Sequence, residues 1–453
     1  MIAPMPRCHA RLHRTAVVSA LAVFTATAWT ATAHADTQVD PPADTKDSDA
    51  RHGFGWAGLP LLNYNTDDGV GYGARLVLYD YGNDQKPYRY QLTLQFFQTT
   101  GGIMTHRVIF DAPRFRGSRW RIDSDLRLDG DKFSPYYGLG GQSEYLSAYD
   151  TCNDRAALEM NPDICPGNPD FRGLRYYQYR ALQPSLAVHL RRDLNGPWQL
   201  MTGYRAQLAF IGTRYPDDLG QTTPSRLVED LQAGEPIVGL ELDDTDGTAA
   251  MTRTAYVQAG LVYDTRDNEP APTCGFWHEL SLRGASPALG GQFWYWGANL
   301  QLRAYRGLDQ GGRVVLAGRL LLDLLGGDVP FYRLSHTGGL GDVESIGGLN
   351  SVRGVLRARF VGKIKALVDT ELRWRWLTRR PWGHRFDITT IAALDAGRAW
   401  RELASDGPFF DVALGAAGGL RFGWDENFIE RVDYGYSITE KTSGLYIDFN
   451  HVF

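Results

Sequence analysis

The chain has 453 residues, 51 of them glycine, with 12% aromatics and a formal net charge of −5 at neutral pH. A mildly acidic chain without basic clusters excludes a nucleic-acid footprint, so no nucleic-acid partner is expected. Later windows never reach roughly eighteen uncharged apolar residues, which excludes a spanning helix beyond the amino terminus and leaves room for a polar-lined barrel.

Residues 1–35 read as a secretory signal. Arg7, Arg11 and Arg14 form its basic region, residues 15–32 are small and apolar, and Ala33-His34-Ala35 is a small-x-small cleavage site before Asp36. An amino-terminal membrane anchor is the alternative, but the segment is rich in Ala and Thr and short of Leu. Residues 36–52, acidic and carrying Pro41-Pro42, read as a flexible periplasmic leader.

From residue 53 onward, segments with a two-residue apolar alternation follow one another to Phe453. Strands are predicted at 53–64, 69–81, 88–100, 105–114, 118–128, 175–190, 198–211 and 252–264. The series continues at 275–284, 292–305, 313–325, 362–377, 385–394, 410–423, 428–438 and 444–453. Long connections at 129–174, 212–251 and 326–361 follow the fifth, seventh and eleventh strands. If the first strand enters from the periplasm, all three are extracellular and the even connections are short periplasmic turns. That asymmetry, and the even strand number, belong to bacterial outer-membrane barrels. The expected fold is therefore all-β: one transmembrane antiparallel β-barrel of about sixteen strands over residues 53–453, located in the outer membrane. A soluble β-sandwich is the alternative, and it would not need so many outward aromatics.

Two segments define the barrel faces. From Lys363 to Trp376, the odd positions Lys363, Lys365, Leu367, Asp369, Glu371, Arg373 and Arg375 form a charged face. The even positions form a greasy face ending in Trp374 and Trp376, as near a membrane interface. Trp294, Trp296 and Trp382 are expected in the same belts. In the last strand, Leu445, Ile447, Phe449 and Phe453 share a face with His451, opposite Tyr446, Asp448 and Asn450.

Chemistry is sparse. Cys152 and Cys165 lie in one polar stretch and are expected to close a disulfide in an oxidising compartment; a metal site has no nearby His. Asp243-Asp244-Thr245-Asp246-Gly247 lacks the later Glu of a calcium loop, and Gly-x-Ser-x-Gly is absent. No enzyme activity, metal or cofactor is expected.

Residues 53–453 resemble the bacterial surface antigen, or outer-membrane assembly-factor, superfamily. The likeness is carried by Gly347-Gly348-Leu349-Asn350-Ser351-Val352-Arg353-Gly354, similar to that family's Val-Arg-Gly loop signature. Tyr263-Asp264-Thr265-Arg266-Asp267-Asn268, with Pro272 and Gly275, looks like its periplasmic turn between strands eight and nine. Tyr136-Tyr137-Gly138-Leu139-Gly140 is a weaker match. Five strands after the Arg-Gly loop is the family's number.

The resemblance implies that the sixth outer loop folds into the lumen, with Arg353 and Gly354 latched onto Asp395 in Leu394-Asp395-Ala396-Gly397 and onto Glu371. A buried guanidinium needs such carboxylates. Val355 stands where the family carries an aromatic residue, and Ala393 where it carries an aromatic or Gly. Residues 36–52 are too few for the family's periplasmic transport-associated module, so a barrel-only member is expected.

The implied function is assistance in inserting or translocating proteins or lipids at the outer membrane. Outer-membrane lipid, unfolded barrel clients and a separate periplasmic protein are the expected partners. A passive channel or surface receptor is the alternative, in which inward Lys363, Lys365, Arg373 and Arg375 line a pore; in a plugged barrel they pair across the lumen. Gly53, Gly55 and Gly58 fit a labile first-strand seam or an ordinary Gly-rich strand.

Overall fold

The alternation predicted from residue 53 onward closes into a cylinder. The computed structural model describes residues 52–83, 88–152, 156, 165, 167–214, 224–241, 249–269, 271–340, 343–344, 346–381, 385–402, 406–408, 410–424 and 428–453. The signal expected at 1–35, the leader expected at 36–52 apart from His52, which opens the first strand, and Trp382 lie outside them.

The first eight strands are β1 (His52–Asn65), β2 (Gly69–Asn83), β3 (Tyr90–Thr99), β4 (Ile103–Ala112), β5 (Trp120–Pro135), β6 (Gln178–Asp193), β7 (Trp198–Gly212) and β8 (Thr252–Asp264). The remaining eight are β9 (Cys274–Ala285), β10 (Tyr295–Gly307), β11 (Val314–Gly327), β12 (Ile364–Arg379), β13 (Phe386–Trp400), β14 (Ala413–Trp424), β15 (Phe428–Ser437) and β16 (Ser443–Phe449). Each pairs antiparallel with its sequence neighbours, and β16 returns to β1, closing the barrel.

Side chains alternate as a membrane wall requires. On β12, Lys365, Leu367, Asp369, Glu371 and Arg373 are buried inside, while Val368, Leu372, Trp374 and Trp376 are exposed outside. Outward aromatics form two belts. Phe54, Trp56, Trp198, Phe276, Trp374 and Trp424 ring one end, and Phe210, Trp294, Trp296, Tyr434 and Tyr436 ring the other. Such a surface is at home only in lipid. The long connections gather at the second end. There Tyr136, Leu227 of a short helix α1 (Arg226–Gln232), Ile237, Phe331 and Tyr332 build an apolar cap.

Three strand ends differ from expectation by more than three residues. β5 runs past residue 128 to Pro135, because after a bulge Ser134 pairs with Tyr179. β13 runs past 394 to Trp400, because Trp400 still finds Ile364 on β12. β16 stops at Phe449, because Asn450 takes φ 65° and turns the tail inward. Phe453 is therefore not in the last strand or on its outer face. It packs inside on Tyr305 and Ala317, and Arg373 Nη2 donates to its carbonyl oxygen at 2.7 Å.

Candidate latch and seam

Among the described residues of loop six (the connection between β11 and β12), the Val-Arg-Gly segment lies against inward residues of β12, β13 and β15. Its turn is built locally. Gly347 N donates to Ser351 Oγ at 2.9 Å, and Gly348 N donates to the Val355 carbonyl at 2.9 Å. Val352 and Val355 are fully buried with Ile346, Phe360, Leu321 and Leu367, so an apolar plug sits beside the charged tip. Gly354 holds φ 90°, and a Cβ there would meet the Tyr436 carbonyl carbon at 2.4 Å. Gly435 returns the favour: its Cβ would meet the Arg353 carbonyl carbon at 2.7 Å. Two glycines thus let the loop backbone approach β15 closely.

The Arg353 side chain is 0% exposed. Its Nε and Nη2 donate to the two carboxylate oxygens of Asp395 at 2.8 and 2.9 Å, the bidentate arrangement. Its backbone N donates to the same carboxylate at 3.2 Å. Nη1 reaches Glu371 at 2.8 Å and Asp433 at 3.4 Å. Glu371 also accepts from Arg373 Nε at 2.8 Å, and Asp433 accepts from Arg421 at 2.5 and 3.0 Å. Arg353, Arg373 and Arg421 so interlock with Glu371, Asp395 and Asp433. Burial disfavours the charged guanidinium of Arg353, yet Asp395, Glu371 and Asp433 hold its pKa well above the ordinary value.

Every residue expected at the latch is brought together. Asp433 was not foreseen; its signal is the Arg431-x-Asp433 alternation that shares the inward face of β15. Lys365 does not line an open bore: it is buried against Asp323 at 3.4 Å and donates to the Leu334 and Gly362 carbonyls.

Loop six has further anchors. Arg357 pairs with Asp131 at 2.5 Å, Asp68 at 3.2 Å and Glu344 at 3.3 Å. Burial again opposes its charge, and those carboxylates raise its pKa well above the usual value. Arg359 reaches Glu440 at 3.0 Å and the Ser143 carbonyl at 2.7 Å. Cys152 and Cys165 form a disulfide with Cα atoms 5.6 Å apart.

The seam lies beside these anchors. β1 pairs with β2 from His52↔Asn83 to Asn65↔Gly69. With β16 it pairs only at Tyr64↔Ile447 and Asn65↔Tyr446 among the described residues, with Thr66 N donating to the Leu445 carbonyl at 3.0 Å just beyond. That register sets Leu62 opposite Phe449, where β16 ends, so among the described residues the lower part of β1 has no strand beside it opposite β2. Thr66 turns its amide toward β16, and strand alternation turns every second residue likewise. Pro60, which has no amide hydrogen, therefore faces the free edge, the position a strand tolerates it. Loop six touches both banks: Gly354 N donates to Tyr446 Oη on β16 at 3.2 Å, and Arg357 holds Asp68 in the β1–β2 turn.

The Omp85 superfamily domain matches residues 171–449, more than half of the chain. The chain belongs to the Omp85 superfamily. Among solved structures, BamA from Haemophilus ducreyi lacking POTRA domains 1–3 is similar at a TM-score of 0.57 and 13% identity, over 88% of this chain and 70% of that one. CdiB from Escherichia coli is similar at a TM-score of 0.52 and 11% identity, over 88% of this chain and 62% of that one. These likenesses are of fold. No match was found among curated protein sequences.

Other motifs fall into place in this Omp85 barrel of the bacterial outer membrane. Asp264 pairs with Arg266 at 2.8 Å in the β8–β9 turn, and Asp267 accepts from the amides of Thr273 and Cys274 at 2.9 and 3.1 Å. The Tyr136–Gly140 segment docks on the end of loop six, with Gly140 N donating to the Val361 carbonyl at 2.8 Å.

Proposed function

We propose that this Omp85 barrel assists insertion or translocation at the outer membrane by parting β1 from β16. The exposed edges then template an incoming client strand or admit a lipid. The observation that carries the reading is the short β1–β16 pairing, beside full-length pairing on the other side of β1. An edge with unpaired amides and carbonyls is a pairing template, and Pro60 limits indiscriminate pairing while the seam rests. Arg353 is the latch that keeps loop six in place during this movement, held by Asp395, Glu371 and Asp433. No chemistry or cofactor enters the cycle. The work is exchange of one set of strand hydrogen bonds for another. Unfolded barrel proteins and a separate periplasmic protein that delivers them are the proposed partners.

Engagement of Lys365 and Arg373 inside the lumen favours this reading over a pore lined by free cations. The test uses purified protein in liposomes and an unfolded barrel client. Client folding should be faster than in empty liposomes. Unchanged folding together with steady ion conductance would reject insertion and favour a channel.

A further inference from the structure

The turns at the short-loop end of the barrel differ in charge. Where β8 meets β9, Arg266 is paired with Asp264, and where β10 meets β11, Arg313 is paired with Asp309. The β4–β5 turn (residues 113–119) is different. Arg114, Arg116 and Arg119 are all exposed there, and Arg192 is exposed at the end of β6, the next strand but one to β4. None of the four makes an ion pair or a side-chain hydrogen bond among the described residues. The carboxylates of the inner wall are engaged elsewhere. Asp111 accepts from Arg121 at 2.7 and 2.9 Å, and Asp123 meets His189 at 2.9 Å and Arg191 at 3.1 Å. Exposed Asp193 is the acid left over at this end of β4–β7, against four guanidinium groups.

The turn is held in shape by its own bonds. Gly117 N donates to the Arg114 carbonyl at 2.9 Å, and Ser118 donates to the Phe115 carbonyl from N at 3.1 Å and from Oγ at 2.7 Å. Asp193 N donates to the Arg119 carbonyl at 3.4 Å, so the turn touches the end of β6. Arg116 sits at φ 52° and ψ 34°, a left-handed backbone that glycine adopts without the steric cost an arginine carries. A strained cation kept on an exposed turn points to a use for it.

Arg192 decides what this patch meets. His189 and Arg191 face inward, so strand alternation turns Leu190 and Arg192 toward lipid. Arg192 stands opposite Trp120 on β5 and Leu200 on β7, and its guanidinium carbon lies 5.3 Å from the Trp120 ring centroid. Trp198, on the same outward row as Leu200, belongs to the aromatic belt at this end. An arginine in the lipid-facing row at belt height extends into the headgroup layer, where lipid phosphate is the anion within reach. A soluble acidic protein would meet the turn and not this wall.

We infer that Arg192 and the β4–β5 turn hold the phosphate of an anionic glycerophospholipid in the periplasmic leaflet, with its acyl chains along Trp120, Leu190 and Leu200. Guanidinium forks match phosphate oxygens. A zwitterionic headgroup would bring an ammonium among four cations, so the lipid with net negative charge is preferred.

The experiment reconstitutes the purified protein in nanodiscs of phosphatidylglycerol and phosphatidylethanolamine in equal parts, with matched acyl chains. Lipid retained after mild detergent extraction is read by native mass spectrometry. The wild type should retain phosphatidylglycerol in preference, and less so as salt rises. Arg192→Gln should lower the preference about fivefold, the factor one arginine near a charged lipid surface supplies. Arg116→Gly, which suits the left-handed backbone, should lower it by a similar factor without lowering the melting temperature. Arg313→Gln, on the turn where that cation already has Asp309, should leave it unchanged. Equal retention of the two lipids by the wild type, or an unaltered preference in both Arg192→Gln and Arg116→Gly, would overturn the lipid site and leave the turn to an acidic periplasmic protein.

Discussion

The two walls of the lumen hold their neighbours differently. Along β12–β15 every strand is paired over its length, and loop six is pinned there by a closed set of buried ion pairs around Arg353. At β1–β16 the pairing shrinks to the extracellular end, and β16 itself turns away at Asn450. On the proposed reading, the same chain builds a rigid half and a separable half. Rigidity sits where charges are desolvated and mutually satisfied. Separability, on that reading, sits where β1 and β16 share only two pairs among the described residues and a proline faces the gap.

The largest break in this contrast is Arg353→Ala. It strands Glu371, Asp395 and Asp433 without their shared cation, and removing one partner of a buried pair costs about 3–5 kcal/mol. The barrel should lose thermal stability, and loop six should be cleaved faster by protease near residues 340–355. Unchanged melting and cleavage would remove the latch from the account.

A smaller effect is expected for Arg357→Ala. Arg357 holds the β1–β2 turn through Asp68, so its loss frees one bank of the seam and leaves the Arg353 network intact. Client folding should speed up or become less dependent on a delivery partner, with a cost near 1–3 kcal/mol in stability. Slower folding with the same stability would mean that loop six aids opening and does not restrain it. The smallest effect is expected from reducing Cys152–Cys165. Gel mobility should shift, while client folding stays as it was, because the bridge lies in the outer cap. Free thiols at both positions before reduction would contradict the bridge.

Much of the rigid half was readable from residue order. Alternation alone put Glu371 on the inward face, and the Val-Arg-Gly likeness supplied Asp395. Asp433 escaped because alternation tells which face a carboxylate occupies and not which cation it meets. Arg357 and Asp68 escaped for a related reason: a contact between an inward loop and a turn far away in the chain leaves no periodic trace. The inward tail was hidden by its own pattern. Leu445, Ile447 and Phe449 continue smoothly toward His451 and Phe453, and only the left-handed backbone at Asn450 ends the strand. The seam was half visible, since Gly53, Gly55 and Gly58 suggested weakness but could not show that β16 ends too early to cover them.

The most direct test ties the seam shut. Tyr64 and Ile447 are facing partners of the β1–β16 pair, a spacing within reach of a disulfide. The protein carrying Tyr64→Cys and Ile447→Cys would be assayed oxidised in liposomes for client folding, beside each single-cysteine variant. A locked seam should abolish the acceleration while both single variants keep it. Full acceleration with the bond formed would show that clients do not pass between β1 and β16.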